Sequence, residues 1–400
     1  MHVVMFADQH AETLGGAQVS IRMQRRYLER AGHTVSIVAP RRHGRRSRAA
    51  DPDPAYIDLP SVPATIDGEY AFTWTGPRTD AAVERGLAGR PAPDLVHIQA
   101  DFWAGFLGYR FARRHDLPVV HTMHNRVDVG LRATAPFPGL VLRGLNAWRR
   151  LALPGTAPGS DGWAHLRGLA EGADAVTAPS EHFARRLERH GVFPRVDAIW
   201  NGMDDEVLDR MLAAPPRRAT EVPTFVWVGR MSPEKRLLPF LEAVARAGVQ
   251  MRVEVIGGGW QFRAARRLVA RYGLGESVAF LGGLPYERTL ARIAAADALV
   301  QTSIGFETQG MTPFEAAALG TPSVMSDPDI AAEVGEGVWH VGAPGRPDPS
   351  IDALAAALRR AAADIRAGAA PVPDPTVRDR FRQSASTERM LGVYRRVLGR

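Results

Sequence analysis

The segment QTSIGFETQGMTPFEAAALGTP, residues 301–322, carries more chemistry than any other part of the 400-residue chain. An apolar run at 298–300 reads as a strand, and it ends in a polar turn that extends from Gln301 to Gly310. A short helix is predicted to open near Thr312 with Pro313 as its first helical residue, where the missing N–H costs nothing. A glycine-containing turn feeding a helix N-terminus leaves backbone N–H groups converging on one point, with the positive end of the helix dipole behind them. That is an anion site, here supplied by Gly310, Met311 and Thr312. Glu307 and Glu315 flank it. Carboxylates beside an anion cradle make sense when the ligand also carries hydroxyls, because an ionised carboxylate can only accept hydrogen bonds. A phosphate with many hydroxyls describes a nucleotide sugar. Glu315 has a second reading: Thr312-x-x-Glu315 has the spacing of a capping box, in which the glutamate merely closes its own helix start.

Outward from this segment the chain repeats a strand–turn–helix pattern. In the second half, strands are read at 224–228, 253–256, 278–281 and 323–326, the last taken as the final strand. Arg230 and Lys235 follow the first of them, and Lys235 is the only lysine among 50 basic side chains. A composition that chose arginine everywhere else kept one compact ammonium, and the two groups meet anions differently. Gly257-Gly258-Gly259 permits close backbone approach, and Trp260 is read as packing. In the first half, strands are read at 2–6, 34–39, 94–98, 119–123, 175–179 and 197–200. The loop 14–18 carries Gly15 and Gly16, which read either as a tight turn or as close approach to a ligand at the strand's carboxyl end. Residues 119–124 deliver His121 and His124, and strand alternation places Thr122 and His124 on one face, His121 and Met123 on the other. Residues 51–93, rich in Pro, Gly and Asp, read as irregular. From 140 to 153, Val141, Leu145, Trp148 and Ala152 share one helical face while Arg143, Asn146 and Arg150 share the other. Such a helix either faces a core with a solvated back or lies in a lipid interface. Residues 203–222 read as a linker, 351–367 as a helix, and 376–396 as a last helix.

On these residues the chain resembles the retaining GT-B glycosyltransferases of the large family four. The resemblance rests on Glu307 and Glu315 with seven residues between them, on Arg230 and Lys235, on the Gly15-Gly16 loop, on Asn201-Gly202-Met203-Asp204, and on His124 after its strand. It covers nearly the whole chain. The wording Thr308-Gln309-Gly310-Met311-Thr312 after the first glutamate resembles the branch that glycosylates membrane lipids such as diacylglycerol. The resemblance implies an α/β fold of two facing Rossmann-like domains with parallel sheets: 1–202 binding the acceptor, 203–222 linking, 223–375 binding the donor, and 376–400 returning to the first domain. It implies that Arg230 and Lys235 neutralise the donor diphosphate and that Glu307 meets the donor sugar. The amides of Gly310 to Thr312, with Gly15, Gly16 and Gly258, line the phosphates; Leu281 borders the base and Glu315 meets the ribose. His124 meets the sugar or the acceptor. Gln99 stands where the family often has a second histidine, and residues 51–90 match no family pattern.

Composition sets the remaining bounds. Apolar content of 45% and charged content of 23% describe a globular chain long enough for two cores. No apolar run reaches the length of a membrane span, and 1–10 lacks the basic start of a secretory signal, so a cytoplasmic protein is expected. A net charge of +7 and a pI near 10.3 favour acidic partners. The basic loop at 40–50 reads as a solvated charge run or as a contact for an anionic membrane surface. No nucleic-acid-binding module is recognisable. The absence of cysteine excludes disulfides and thiolate metal sites. Arg230, Lys235 and helix dipoles are expected to neutralise the diphosphate, so neither metal nor cofactor is expected. The expectation is a nucleoside-diphosphate-sugar-dependent hexosyltransferase, peripheral on the membrane if its acceptor is a lipid. A catalytically idle sugar-nucleotide or membrane-surface binding protein is the alternative.

Overall fold

The structure is a computed structural model that describes residues 1–13, 15–43, 53–65, 70–134, 137–155, 157–213 and 221–400. Leu14, most of the 40–50 basic loop and the Pro215-Pro216-Arg217-Arg218 part of the linker lie outside these residues. The chain divides into two units, 1–202 with 383–400, and 203–382.

The first unit begins β1 (His2–Ala7), α1 (Gly16–Arg30), β2 (Thr34–Pro40), β3 (Tyr56–Leu59), β4 (Val62–Pro63), β5 (Ala71–Phe72) and α2 (Pro77–Leu87). It continues through β6 (Leu95–Gln99), α3 (Trp103–Arg114), β7 (Val119–Thr122), α4 (Val127–Thr134), α5 (Pro138–Ala152) and α6 (Gly162–Ala170). β8 (Ala175–Ala178), α7 (Glu181–Arg189) and β9 (Val196–Ala198) complete its first passage. Among the described residues a seven-stranded parallel sheet runs in the order β3-β2-β1-β6-β7-β8-β9. Helices cover both faces, so the central strands are buried throughout and read as apolar runs instead of alternating. One face packs Phe6, Ile98, Phe106, Phe111 and Phe183; the other packs Ile21, Leu28, Ile37 and Val120.

The second unit contains α8 (Asp205–Leu212), β10 (Thr224–Val228), a 3₁₀ turn (Pro233–Lys235), α9 (Leu237–Ala247), β11 (Arg252–Ile256), α10 (Phe262–Arg271), β12 (Val278–Gly282), α11 (Tyr286–Ala295) and β13 (Ala298–Gln301). α12 (Met311–Ala318), β14 (Ser323–Met325), α13 (Pro328–Val334), β15 (Val338–His340), α14 (Ile351–Arg366) and α15 (Thr376–Arg380) follow. Its parallel sheet has the order β12-β11-β10-β13-β14-β15, around a core of Trp227, Phe240, Val255, Val300 and Leu358. α16 (Gln383–Val397) then rejoins the first unit, where Met390, Leu391 and Tyr394 pack beside α1.

Several local expectations differ from the structure. Residues 51–93 are not irregular: β3 extends the sheet beside β2, and α2 seats Val83 in the core. Pro77, which reads as a breaker, is the first residue of that helix, the one place a proline suits. β15, not β14, is the last strand. The stretch read as linker holds α8, capped by Asp204 through the N–H groups of Glu206 and Val207. The last helix is two helices: Phe381 and Arg382 interrupt it, Arg382 pairs with Asp209 at 2.6 Å, and the chain changes unit between 382 and 383. Trp260 is three-quarters exposed and does not pack.

The largest departure is α5. Asn146 and Arg149 are fully buried, while Leu140, Val141 and Leu151 face solvent. Arg149 takes the space a side chain at Gly168 would fill, its guanidinium lying 1.7 Å from an ideal Cβ there. Asn146 donates to the carbonyls of Leu142 at 2.9 Å and Asp161 at 3.1 Å. Hydrogen-bonding partners in the neighbouring loop draw the polar residues inward, which the apolar period alone could not show.

Candidate functional site

Both sheets reverse their strand order at one place, β1/β6 in the first unit and β10/β13 in the second. In open parallel sheets that switch, at the carboxyl ends of the strands, is where ligands bind. Gly15 and Gly16 follow β1, Arg230 and Lys235 follow β10, and Glu307 to Glu315 follow β13, whereas His124 follows β7, Gly258 follows β11 and Leu281 lies in β12; each is described within its own unit.

In the second unit the loops after β10 and β11 lie against each other. A Cβ on Gly257 would sit 2.0 Å from the Gly229 carbonyl, so only glycine, at φ +124°, allows the contact. Met231 then donates to the Gly258 carbonyl at 2.8 Å, and above Gly258 the space is open. The 3₁₀ turn carries Lys235, whose ammonium donates to the Glu307 carboxylate. The Phe306 ring lies 5.9 Å from it. Thr302 locks this arrangement: its hydroxyl donates to the Lys235 carbonyl at 2.5 Å and accepts from the Trp227 indole at 2.9 Å. Asp327 holds the other side of the Glu307 loop, accepting from the Gly305 amide at 2.6 Å while capping α13. Arg230 is mostly exposed, with Glu234 3.5 Å away; an exposed pair of that length constrains it little.

α12 starts two residues earlier than expected. Gly310, at φ +75°, is its N-cap, and Pro313 is the third helical residue. The capping box does not form: no side chain caps α12. Helices α6, α7, α8, α13 and α14 are each capped by an Asp or Ser side chain, whereas α12 and α1 open at bare glycines. The half-buried Met311 and Thr312 form the first turn of α12. Glu315, freed from a capping role, is buried and accepts from the Tyr286 hydroxyl at 2.9 Å. Burial pushes its carboxyl up to about 7. Leu281 is half-buried at the end of β12, where the register shifts by one residue and Gly257 donates to the Gly282 carbonyl at 2.8 Å.

In the first unit Gly15 caps α1 at φ +150°, and a Cβ there would strike Gln18; around Gly16 the space is open. His124 follows β7 in a loop organised by Asp101. That buried carboxylate accepts from the His124 amide at 3.0 Å, the Asn125 amide at 2.8 Å and the Asn125 side chain at 2.7 Å. Burial alone would raise it, but these donors and the nearby His121 hold it below the usual carboxylate range. The Asp101 carbonyl in turn accepts from His165 at 2.7 Å. Gln99 supplies the remaining contact. Its amide nitrogen donates to Gln24 of α1, which leaves its oxygen, 3.1 Å away, to accept from His124 Nε2. His124 is thereby a neutral Nε2–H tautomer with its lone pair on Nδ1, and burial pushes its pKa down to about 4. Asp8, at the end of β1, accepts from the amides of Phe102 and Ala104, both at 3.0 Å, and fixes the start of α3.

The sequence reading singled out Lys235, Glu307, Glu315 and His124 but not the groups that hold them. Tyr286, Thr302, Asp327 and Asp101 carry no motif of their own; for Thr302, Asp327 and Asp101 the signal was a polar residue within two positions of a strand end, and Tyr286 opens α11. Among the described residues no three His, Asp or Glu side chains converge as a metal site.

Two family models match the chain: Glycosyltransferase Family 4 over residues 14–207 and Glycosyl transferases group 1 over residues 212–367. Among similar proteins is the alpha-monoglucosyldiacylglycerol synthase of Streptococcus pneumoniae, 25% identical over 81% of this chain and 70% of its own length. A phosphatidyl-myo-inositol mannosyltransferase of Mycobacterium leprae is 26% identical over 90% and 88%. A D-inositol 3-phosphate glycosyltransferase of Segniliparus rotundus is 27% identical over 100% and 88%. In fold, the chain is similar to the sucrose-phosphate synthase of Thermosynechococcus elongatus (TM-score 0.70, 20% identity, all of both chains covered). It is also similar to Anabaena HepE in complex with UDP and glucose (TM-score 0.65, 17% identity, 98% of this chain and 99% of that one). With two parallel-sheet Rossmann-like units and both family models in sequence, the chain belongs to the family-four GT-B glycosyltransferases and is a hexosyltransferase.

Proposed function

We propose that the enzyme transfers a hexose from a nucleoside-diphosphate sugar, carrying UDP or GDP, to a hydroxyl of a membrane lipid such as diacylglycerol or a glycolipid, with retention at the anomeric carbon and without a metal. The observation that carries the donor reading is the contact between the sole lysine and Glu307 beside the glycine-opened start of α12. A cation, a helix N-terminus and a carboxylate at one strand switch match a ligand that is a diphosphate on one side and a polyol on the other. In this reading Lys235 and Arg230 take up the charge that develops on the leaving diphosphate, the electrostatic contribution that typically dominates such catalysis. Glu307 accepts from the sugar hydroxyls and Glu315 from the ribose. His124, neutral, offers Nδ1 as an acceptor to a hydroxyl of the donor or acceptor. Front-face attack, with the departing phosphate taking the acceptor's proton, needs no protein base.

The lipid acceptor is supported by relatives named for diacylglycerol and phosphatidylinositol glycosylation, and a lipid acceptor places the enzyme on the inner membrane face as a peripheral protein. No helix among the described residues is long and apolar enough to cross a membrane. A soluble inositol phosphate acceptor is the second reading, favoured by the full-length match to D-inositol 3-phosphate glycosyltransferases. The test is a thermal-shift screen of UDP- and GDP-sugars, followed by incubation of the best donor with diacylglycerol vesicles or with inositol phosphate and NMR of the product's anomeric proton. One donor should raise the melting temperature and yield an α-linked glycolipid whether or not a chelator is present. Failure of every nucleotide sugar to stabilise the protein would end the donor assignment. An inverted product would end the mechanism, and activity lost to chelator would end the metal-free claim.

A further inference from the structure

We infer that the exposed face of α5 lies in the headgroup layer of an anionic bilayer. This rests on the lipid-acceptor reading and assigns it a surface. Phe137, Leu140, Val141, Gly144, Ala147 and Leu151 recur at spacings of three and four and form one stripe, all of them exposed. At 1.5 Å rise per residue the stripe runs about 20 Å, the whole helix. Leu151 is 87% exposed, Phe137 79% and Leu140 69%, while the polar Asn146 and Arg149 of the same helix are fully buried. α5 therefore shows apolar side chains on both sides, with Leu142, Leu145, Trp148 and Ala152 on the core and the stripe facing solvent. Trp74, itself two-thirds exposed, stacks on Trp148 at 5.1 Å and widens the apolar area beside it.

Cations edge this stripe. Arg143 and Arg150 are exposed on its flank, and at its N-terminal end Leu142 opens into a cavity of about 580 Å³. Arg126, Arg132, Arg186 and Arg189 line that cavity against two carboxylates. Both are engaged: Asp128 pairs with Arg126 through two contacts of 2.9 Å, and Asp161 caps α6 through the Ala164 amide at 2.7 Å. The stacked rings of Trp163 and His190, 3.8 Å apart, form one wall. A free phosphate would be served by the cavity but leaves the stripe unexplained. A neutral apolar surface would be served by the stripe but leaves the guanidinium groups unexplained. An anionic bilayer presents phosphate above hydrocarbon, in the same order as cations beside an apolar stripe. The occupant is therefore a phospholipid surface, with the cavity receiving a headgroup phosphate.

The experiment is sedimentation of the full chain with vesicles of phosphatidylcholine alone or of equal parts phosphatidylcholine and phosphatidylglycerol. Binding should require the anionic lipid and weaken with salt. Arg132→Ser/Arg189→Ser should lower it by about thirtyfold, at ~1 kcal/mol for each charge near the surface. Leu140→Ser/Leu151→Ser should lower it by about tenfold or more. Both variants should keep the wild-type oligomeric state and the wild-type thermal shift with nucleotide sugar, which separates failure of docking from failure of the donor site. Equal binding by wild type and both variants, or binding to phosphatidylcholine alone, overturns the proposal. Displacement by millimolar glycerol phosphate would make the cavity a soluble-phosphate site, and a dimer lost only in the leucine variant would make the stripe a self-contact; either result also overturns it.

Discussion

Glu315 should make donor binding depend on pH, and the size of the effect follows from its burial. Its carboxyl, pushed up to about 7, is roughly half protonated at neutral pH in the empty protein. A ribose hydroxyl donates best to the ionised form, so binding must first remove the proton. That costs RT ln(1 + 10^(pKa − pH)), about 1.4 kcal/mol at pH 6 and under about 0.1 kcal/mol at pH 8. The dissociation constant of a nucleotide sugar should therefore tighten about tenfold between those values, with about half a proton released per ligand at pH 7. A nucleotide sugar is the right probe because its diphosphate is esterified at both ends and does not itself titrate there. Calorimetry at three pH values, in buffers of differing ionisation enthalpy, reads both quantities. Glu315→Gln, which preserves the Tyr286 contact without a titrating group, should bind with a flat profile. A flat profile in the wild type, or an unchanged slope in the glutamine variant, refutes the reasoning. The same raised carboxyl stabilises the fold below its unfolded value of 4.5, and that contribution is lost as pH rises through 7.

Lys235→Ala should lower kcat by roughly 100-fold with the melting temperature little changed, since the lost interaction is with charge that develops in the transition state; unchanged steady-state turnover would retire the lysine from catalysis. Glu307→Gln should bind the bare nucleoside diphosphate more tightly than wild type does and the nucleotide sugar less tightly, compared by titration. Asp101→Asn should slow turnover at saturating donor by releasing the loop that holds His124; unchanged steady-state turnover would show that the loop does not depend on it. Burial pushes His124 and His165 down to about 4 and His97 well below its ordinary value, so their stabilising contribution is present above the unfolded value of 6.5 and is lost as pH falls below it. His124 and His165 can each remove about 3 kcal/mol between 6.5 and about 4, partly offset by Asp8, whose raised carboxyl acts in the opposite sense. Melting of the His165→Gln variant should fall less steeply from pH 6.5 to 5 than that of the wild type.

The parts of the fold that the sequence revealed are those whose signal is local. Buried parallel strands read as apolar runs, and a glycine forced by close approach, as at Gly257 against Gly229, reads as a glycine. Lys235 stood out because the chain has no other lysine. What failed depends on distant partners. The Thr312-x-x-Glu315 spacing satisfies a capping rule, yet Tyr286 from α11 claims the carboxylate, and no local pattern records that. On α5 the helical wheel placed Leu145, Trp148 and Ala152 on the core side and Arg143 and Arg150 outside, but it misplaced Asn146, which carbonyls at Leu142 and Asp161 hold inside, and Val141, which faces solvent. Asp101 follows a strand like many other aspartates; only the folded loop shows three donors meeting it.

The contact between Lys235 and Glu307 raises an objection to either residue serving the proposed donor, since each already has a partner. The magnitudes point the other way. Both side chains are partly exposed, at 21% and 15%, and such a pair contributes at most about 1 kcal/mol. A diphosphate meets the ammonium with the same charge–charge attraction per contact as the carboxylate does, but it carries more charge and also receives the α12 amides. The ammonium therefore exchanges a carboxylate for a phosphate readily. Glu307 does not gain from that exchange by itself: it is left beside a new anion with its own cation withdrawn. Hydroxyls attached to the same ligand repair the loss, because they donate where the phosphate cannot. A bare nucleoside diphosphate lacks the sugar's hydroxyls, so the resting ion pair favours the sugar-bearing donor over the spent one and eases the product's departure. On the proposed donor, this pairing would let one cation and one carboxylate discriminate between substrate and product that share the same diphosphate.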